Sequence, residues 1–96
     1  LRHVERTSIL IHLIDMAQTE GRDPVEDYQV INKELRNYSP EVSSKPQIIA
    51  ANKMDLEEAA INLERFKKII KKKVYPISAL KKQGLEELIG GIRKKL

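Results

Sequence analysis

Three apolar runs along the chain have the character of β-strands. Ile9-Leu10-Ile11-His12-Leu13-Ile14, led in by Thr7-Ser8, is continuous and β-branched, the pattern of a strand covered on both faces. Gln47-Ile48-Ile49-Ala50-Ala51 is a second such run, and Val74-Tyr75-Pro76-Ile77 a third. Proline cannot donate to a ladder, so Pro76 assigns the third run to a sheet edge. Helical spacing fills the gaps. Asp23-Pro24-Val25-Glu26 reads as an N-cap, a proline in the first turn and a capping-box glutamate. Val25, Tyr28, Ile31, Leu35 and Tyr38 then recur at steps of three and four and form one stripe. Leu56, Ala60, Leu63, Phe66 and Ile70 form a second stripe, with Glu57 and Glu58 at its start and Lys71 to Lys73 at its end, as the helix dipole favours. Leu85, Leu88, Ile89, Ile92 and Leu96 form a third. It is interrupted by Gly90 and Gly91, each costing about 1 kcal/mol relative to alanine, so this helix is expected to fray early. The opening Leu1-Arg2-His3-Val4-Glu5 is too short to assign, though it is compatible with the tail of a helix.

The resulting order is strand, helix, strand, helix, strand, helix. Such alternation predicts βαβ crossovers and a three-stranded parallel sheet with flanking helices, an α/β fold. No internal repeat interrupts it.

Ninety-six residues make one domain at most, and a chain of this length alone buries only about 60–65 % of its unfolded surface. Apolar residues at 41 % and charged ones at 33 % exclude a disordered or fibrous class. There is no apolar run near the roughly 18–20 residues a membrane span needs. The absence of cysteine removes disulfides, thiolate metal sites and a cysteine nucleophile. The start at Leu1 shows no basic-then-apolar leader, so no secretory signal is expected. Charge is uneven: residues 1–55 carry seven Lys/Arg against nine Asp/Glu, residues 56–96 eleven against five. A basic half can meet phosphate, RNA or an acidic protein, or it can simply line the solvated sides of two helices.

Each apolar run stops at a polar residue: Asp15, then Asn52, then Ser78. In a parallel sheet these ends share one edge, where open α/β sheets bind ligands. The second end reads Asn52-Lys53-Met54-Asp55, an N-K-x-D pattern. A carboxylate at Asp55 can accept from the ring N1–H and exocyclic amine of guanine together, a polarity that adenine reverses. Asn52 can bridge loops or reach the purine N7, and the Lys53 stem can lie along the base. The third end reads Ser78-Ala79-Leu80. Ser78 can hold the Asp55 carboxylate, the Ala79 N–H can donate to guanine O6, and Leu80 can cover the second face of the base. Neither motif is specific alone; their order, one strand–helix unit apart, makes the pair specific.

Leu1 to Thr7, then Gly21-Arg22-Asp23-Pro24-Val25-Glu26-Asp27-Tyr28, then Ala51-Asn52-Lys53-Met54-Asp55, then Pro76-Ile77-Ser78-Ala79-Leu80 resemble the C-terminal half of the G domain in the Obg family of ribosome-associated GTPases. The likeness covers essentially the whole chain, weaker over 57–73 and after Gly84, and the family's usual glycine near Lys82 is missing. The resemblance implies a Ras-like P-loop GTPase fold, of which residues 1–96 supply the guanine-specificity half. It implies guanine nucleotide binding through Asn52, Lys53, Met54, Asp55, Ser78, Ala79 and Leu80. For the parent protein it implies GTP hydrolysis to GDP with Mg²⁺, a cytoplasmic setting, and a ribosome or ribosomal-RNA partner in ribosome assembly. DNA is not an expected partner.

The sequence holds no G-x-x-x-x-G-K-[ST] and no D-x-x-G, and its glycines are Gly21, Gly84, Gly90 and Gly91. Phosphate cradling, magnesium and water positioning need those parts, so base recognition without hydrolysis is expected of these residues alone, with no catalytic residue and no metal ligand among them. The rival from another class is a non-enzymatic RNA- or ribosome-binding module using the basic half. Only Phe66 and Tyr75 fall there to stack bases. His12 reads as a buried, hydrogen-bonded core histidine and His3 as a surface one. Glu20, Asp23, Glu26 and Asp27 read as a capped, acid-biased helix start, since they lack the alternating oxygens of a calcium loop. Asp15 as a receiver-domain phospho-acceptor leaves N-K-x-D unexplained. Asp55 has its own bland alternative, as a cap for the helix that begins near Leu56.

Overall fold

The computed structural model describes residues 9–19 and 21–95. Thr7, Ser8, the proposed helical tail at 1–5, His3, Glu20 and Leu96 lie outside them. The elements run β1 (Leu10–Asp15), α1 (Pro24–Tyr38), α2 (Pro40–Ser43), β2 (Gln47–Asn52), α3 (Glu57–Ile70), β3 (Val74–Pro76) and α4 (Leu85–Lys95). The sheet order is β1-β2-β3, all parallel, with β3 and its Pro76 at an edge. Three strands, two crossovers and flanking helices are the architecture that the alternating pattern predicts.

Strand alternation sorts the side chains onto two faces. Ile14, Ile49, Ala51 and Val74 face α1 and α3, where they pack with Val25, Tyr28, Ala59, Leu63 and Phe66 into one core. Phe66 is completely buried, and Tyr28 meets it edge-on at 5.5 Å between centroids. Truncating such a ring to alanine costs about 3–5 kcal/mol. On the other face α4 packs against β2, and Ile48 and Ala50 are buried there. This cover stops short of β1, whose Ile11 and Leu13 remain 50 % and 58 % exposed.

Local chemistry sets the helix ends. Asp23 caps α1 by accepting from the Glu26 N–H at 3.1 Å, with Pro24 in the first turn. Ser39 and Pro40 repeat the device and start the single turn of α2, which the apolar spacing does not reveal. Three details of the stripes differ from expectation. Tyr38 is 91 % exposed, because α1 ends there, past the sheet. In α3 the buried position is Ala59, not Ala60, since Leu56 is the cap and the inward set is Ala59, Leu63 and Phe66. In α4 the buried residue is Gly91, where a Cβ would stand 2.3 Å from the Tyr75 hydroxyl oxygen. Gly91 is therefore a point of close packing, not of fraying.

Candidate functional site

The parallel register sets Asp15 directly beside Asn52 at the carboxyl end of the sheet. The ladder continues past the strands through Met16 N–H to Asn52 O at 3.2 Å and Ile77 N–H to Ala51 O at 2.8 Å. The three strand ends therefore enter their loops side by side, as the shared-edge argument requires.

The second and third loops are tied together by side chains. The Ser78 hydroxyl donates to Asp55 Oδ1 at 2.9 Å, and the Ala79 N–H donates to Asn52 Oδ1 at 3.0 Å. Ser78 is fully buried, and its Oγ also accepts from the Lys81 N–H at 3.1 Å, which fixes the hydroxyl proton toward Asp55. The turn is closed by paired backbone bonds between Ser78 and Gln83, both 3.0 Å. It ends at Gly84, whose φ of +74° and 2.3 Å approach of a Cβ to Pro76 O admit no side chain. Lys82 carries a φ of +57°, a left-handed position at the very place where the resemblance expects glycine.

The helix-cap alternative for Asp55 does not hold. The N-cap of α3 is Leu56, with no side-chain cap bond, and the Asp55 carboxylate is engaged across 23 residues by Ser78 instead. Asp55 itself is exposed, and among the described residues no other donor reaches its carboxylate. The Asn52 amide oxygen is consumed by Ala79, so its NH₂ faces away from that turn as a donor. The Ala79 N–H, expected to meet a base oxygen, is likewise taken by Asn52; Leu80 N–H is the next donor on the same turn. The Leu80 side chain is 81 % exposed. Met54 turns inward and packs against the core, while its N–H donates to Ile77 O at 3.1 Å, so it serves the edge through its backbone.

Lys53 reaches the first strand end. Its ammonium donates to Asp15 Oδ2 at 3.2 Å and to the Thr19 hydroxyl. Asp15 also accepts from the Ala17 and Thr19 N–H groups, each at 2.9 Å, and from the Thr19 hydroxyl. Burial pushes the Asp15 carboxyl up, but the bonds from Thr19, Ala17 and Lys53 outweigh it and hold it below the ordinary value of 3.8. Asp15 thus organises the loop after β1 and anchors the Lys53 stem. The sequence marks Asp15 as a strand end; the signal left unread is the spacing Asp15-x-x-x-Thr19, which permits an Asp carboxylate to cap the loop that follows it.

Other candidates resolve locally. Asp23 caps α1 and pairs with Arg65, and Asp27 pairs with Arg22 at 3.0 Å. Among the described residues no group of three His, Asp or Glu side chains is placed to hold a metal. None of the described helices is long and apolar enough to cross a membrane. His12 is buried against Tyr28, and its Nε2 has no partner, so it is a core histidine only partly satisfied. Its burial lowers its pKa below 6.5, against a smaller opposing contribution from Gln47.

A three-stranded parallel sheet with flanking helices, its adjoining carboxyl ends presenting a carboxylate, a carboxamide and a donor-bearing turn, is an α/β arrangement consistent with a fragment of the G-domain class. No protein-family model matches the chain. It is 52 % identical over 99 residues to the GTPase Obg of Acetivibrio thermocellus, an alignment that takes in the whole chain and 23 % of that protein. It is 55 % identical over 92 residues to the GTPase Obg of Caldicellulosiruptor saccharolyticus, and 54 % over 98 residues to that of Oceanobacillus iheyensis. The chain belongs to the Obg family, and it spans under a quarter of the length of the curated relatives it matches.

Proposed function

We propose that residues 1–96 are the guanine-recognising part of a G domain, whose phosphate-binding and switch half lies elsewhere in a longer Obg-type GTPase. That protein hydrolyses GTP to GDP in the cytoplasm and acts on the ribosome during its assembly. Mg²⁺ and the hydrolytic residues are assigned to its other half, since these 96 residues contain no phosphate loop.

The observation that supports base recognition is the Ser78–Asp55 bond. A fully buried hydroxyl holds one carboxylate oxygen and leaves the group exposed at a strand edge, where a capping carboxylate would have turned to the helix. In this reading Asp55 accepts from N1–H and the exocyclic amine of guanine. The Asn52 NH₂ donates to N7, a backbone N–H of the Ala79–Leu80 turn meets O6, and the Lys53 stem and Leu80 flank the two faces. Adenine meets the carboxylate with the wrong polarity, so the site rejects it at the cost of unpaired polar groups.

The test is Asp55→Asn in the intact protein. The carboxamide offers one acceptor and one donor, which mismatches the guanine amine and matches the carbonyl that xanthine carries there. Competition between GDP and XDP is expected to move toward XDP by orders of magnitude, up to roughly 10⁴-fold. An unchanged GDP-over-XDP ratio would remove Asp55 from the base site.

A further inference from the structure

At the opposite end of the sheet, where β2 and β3 begin, the chain forms an open cleft of about 580 Å³. Arg36 from the end of α1, Lys45, Lys72 and Lys73 from the turn into β3, Tyr75, and Lys95 from the end of α4 line it, over a floor that includes buried Ile48 and Ile49. Among the described residues no Asp or Glu lines it. Its innermost lining residue on β2, Ile49, lies three residues from Asn52, so at about 3.3 Å per residue the cavity floor stands roughly 10 Å from the Asn52–Asp55 edge. The two share no residue.

Cations at this end have one ordinary task. Helices in βαβ units run antiparallel to the strands, so α1, α3 and α4 all end here, each presenting about half a negative charge. Those three ends neutralise roughly one and a half positive charges. Setting Lys45 aside, Arg36, Lys72, Lys73 and Lys95 bring four, and among the described residues no ion pair holds any of them. An excess of roughly two and a half charges therefore remains in a concave site with an apolar floor, where the field is focused and anions are concentrated.

The aromatic groups decide between ligand classes. The Lys73 ammonium lies 5.2 Å over the Tyr75 ring, and Tyr28, which also borders the cavity, is only 6 % exposed. Tyr28 is buried and one face of the half-buried Tyr75 is occupied by Lys73, whereas single-stranded nucleic acid is held largely by base stacking. The volume falls within the roughly 300–1,000 Å³ of small-ligand pockets. We propose that this cavity is a second anion site, separate from the base edge, that takes a small polyphosphate, free or carried on a nucleoside.

The experiment uses the full-length protein with its guanine site saturated by GDP and free Mg²⁺ held constant. Inorganic tripolyphosphate is titrated calorimetrically, with orthophosphate and a short oligouridylate as comparison ligands. One tripolyphosphate per chain is expected, binding more tightly than orthophosphate and weakening with salt. Lys72→Ala with Lys95→Ala, both at exposed positions, is expected to weaken tripolyphosphate about tenfold or more and to leave GDP affinity unchanged. Asp55→Asn is expected to change GDP binding and not this site, so the two readings fail independently. Absent binding, or equal binding by wild type and the double variant, overturns the proposal. Oligouridylate binding more tightly than tripolyphosphate, and lost in the same variant, overturns it in favour of an RNA surface.

Discussion

Ser78 shows how much one buried hydroxyl controls at the proposed base edge. Its Oγ accepts from Lys81 and so must donate to Asp55, which orients the carboxylate before any ligand arrives. Ser78→Ala removes that donor but keeps the carboxylate. It should weaken GDP and XDP alike by about tenfold, at a stability cost of about 1–3 kcal/mol, with their ratio retained. Fluorescent-nucleotide titration checks this, and an unchanged GDP affinity would mean that Asp55 orients itself. His12 governs a different property. Its folded pKa lies below 6.5, so the unfolded chain binds the proton more readily. The neutral histidine's stabilising contribution is complete above pH 6.5 and is lost as pH falls from there toward the lowered value. Denaturant midpoints should therefore drop between roughly pH 7.5 and pH 5.5, and His12→Gln should flatten that drop. Asp15 acts lower, its contribution present above pH 3.8 and lost as pH falls beneath it.

The two adjacent glycines of α4 separate propensity from packing. A Cβ at Gly90 would have nothing within 4 Å, whereas one at Gly91 would stand 2.3 Å from the Tyr75 hydroxyl oxygen. Gly90→Ala should stabilise by up to about 1 kcal/mol, the ordinary helix-propensity gain. Gly91→Ala should destabilise by about 1–3 kcal/mol, because Tyr75 or the helix must move. Chemical denaturation of the two variants side by side gives opposite signs if α4 sits where the structure places it. Equal signs would mean that α4 packs differently. The turn from Ser78 to Gly84 follows the same logic, with Gly84 held against Pro76 O by the pairing of Ser78 and Gln83.

At the scale of the whole sheet, the β1 flank is the apolar edge left uncovered among the described residues. Among the described residues no strand pairs with the outer side of β1, and Ile11 and Leu13 stand half or more exposed beside it. An unpaired apolar edge is a template for association. Expressed alone, the 96-residue chain should self-associate or lose cooperative unfolding, and Ile11→Lys should raise the monomer fraction. Light scattering across a concentration series checks this. A monomer at high concentration with a sharp unfolding transition would show that the flank needs no cover. Relatives over four times as long offer ample chain to cover it.

The local pattern determined what depends on neighbours in sequence. Period-two and period-three-to-four spacing assigned strands and helices, Asp23-Pro24 marked the start of α1, and Pro76 assigned β3 to an edge. Asn52, Asp55 and Ser78 were legible as candidates, and as neighbours, because they close the apolar runs in short motifs at strand ends that a parallel sheet brings together. What spacing leaves open is the exact inward face, since Ala59 and Ala60 are equivalent to a helix until β2 and α1 arrive. It equally leaves open which N–H a side chain captures. Ala79 is taken by Asn52 because the register brings two loops within 3.0 Å across 27 residues. Lys53 finds Asp15 across 38 residues for the same reason. Gly91 reads as a weakness along the helix and becomes a point of close packing only when the Tyr75 ring lies beneath it. Such contacts join residues far apart in the chain, and only the packed sheet and its crossovers bring them together.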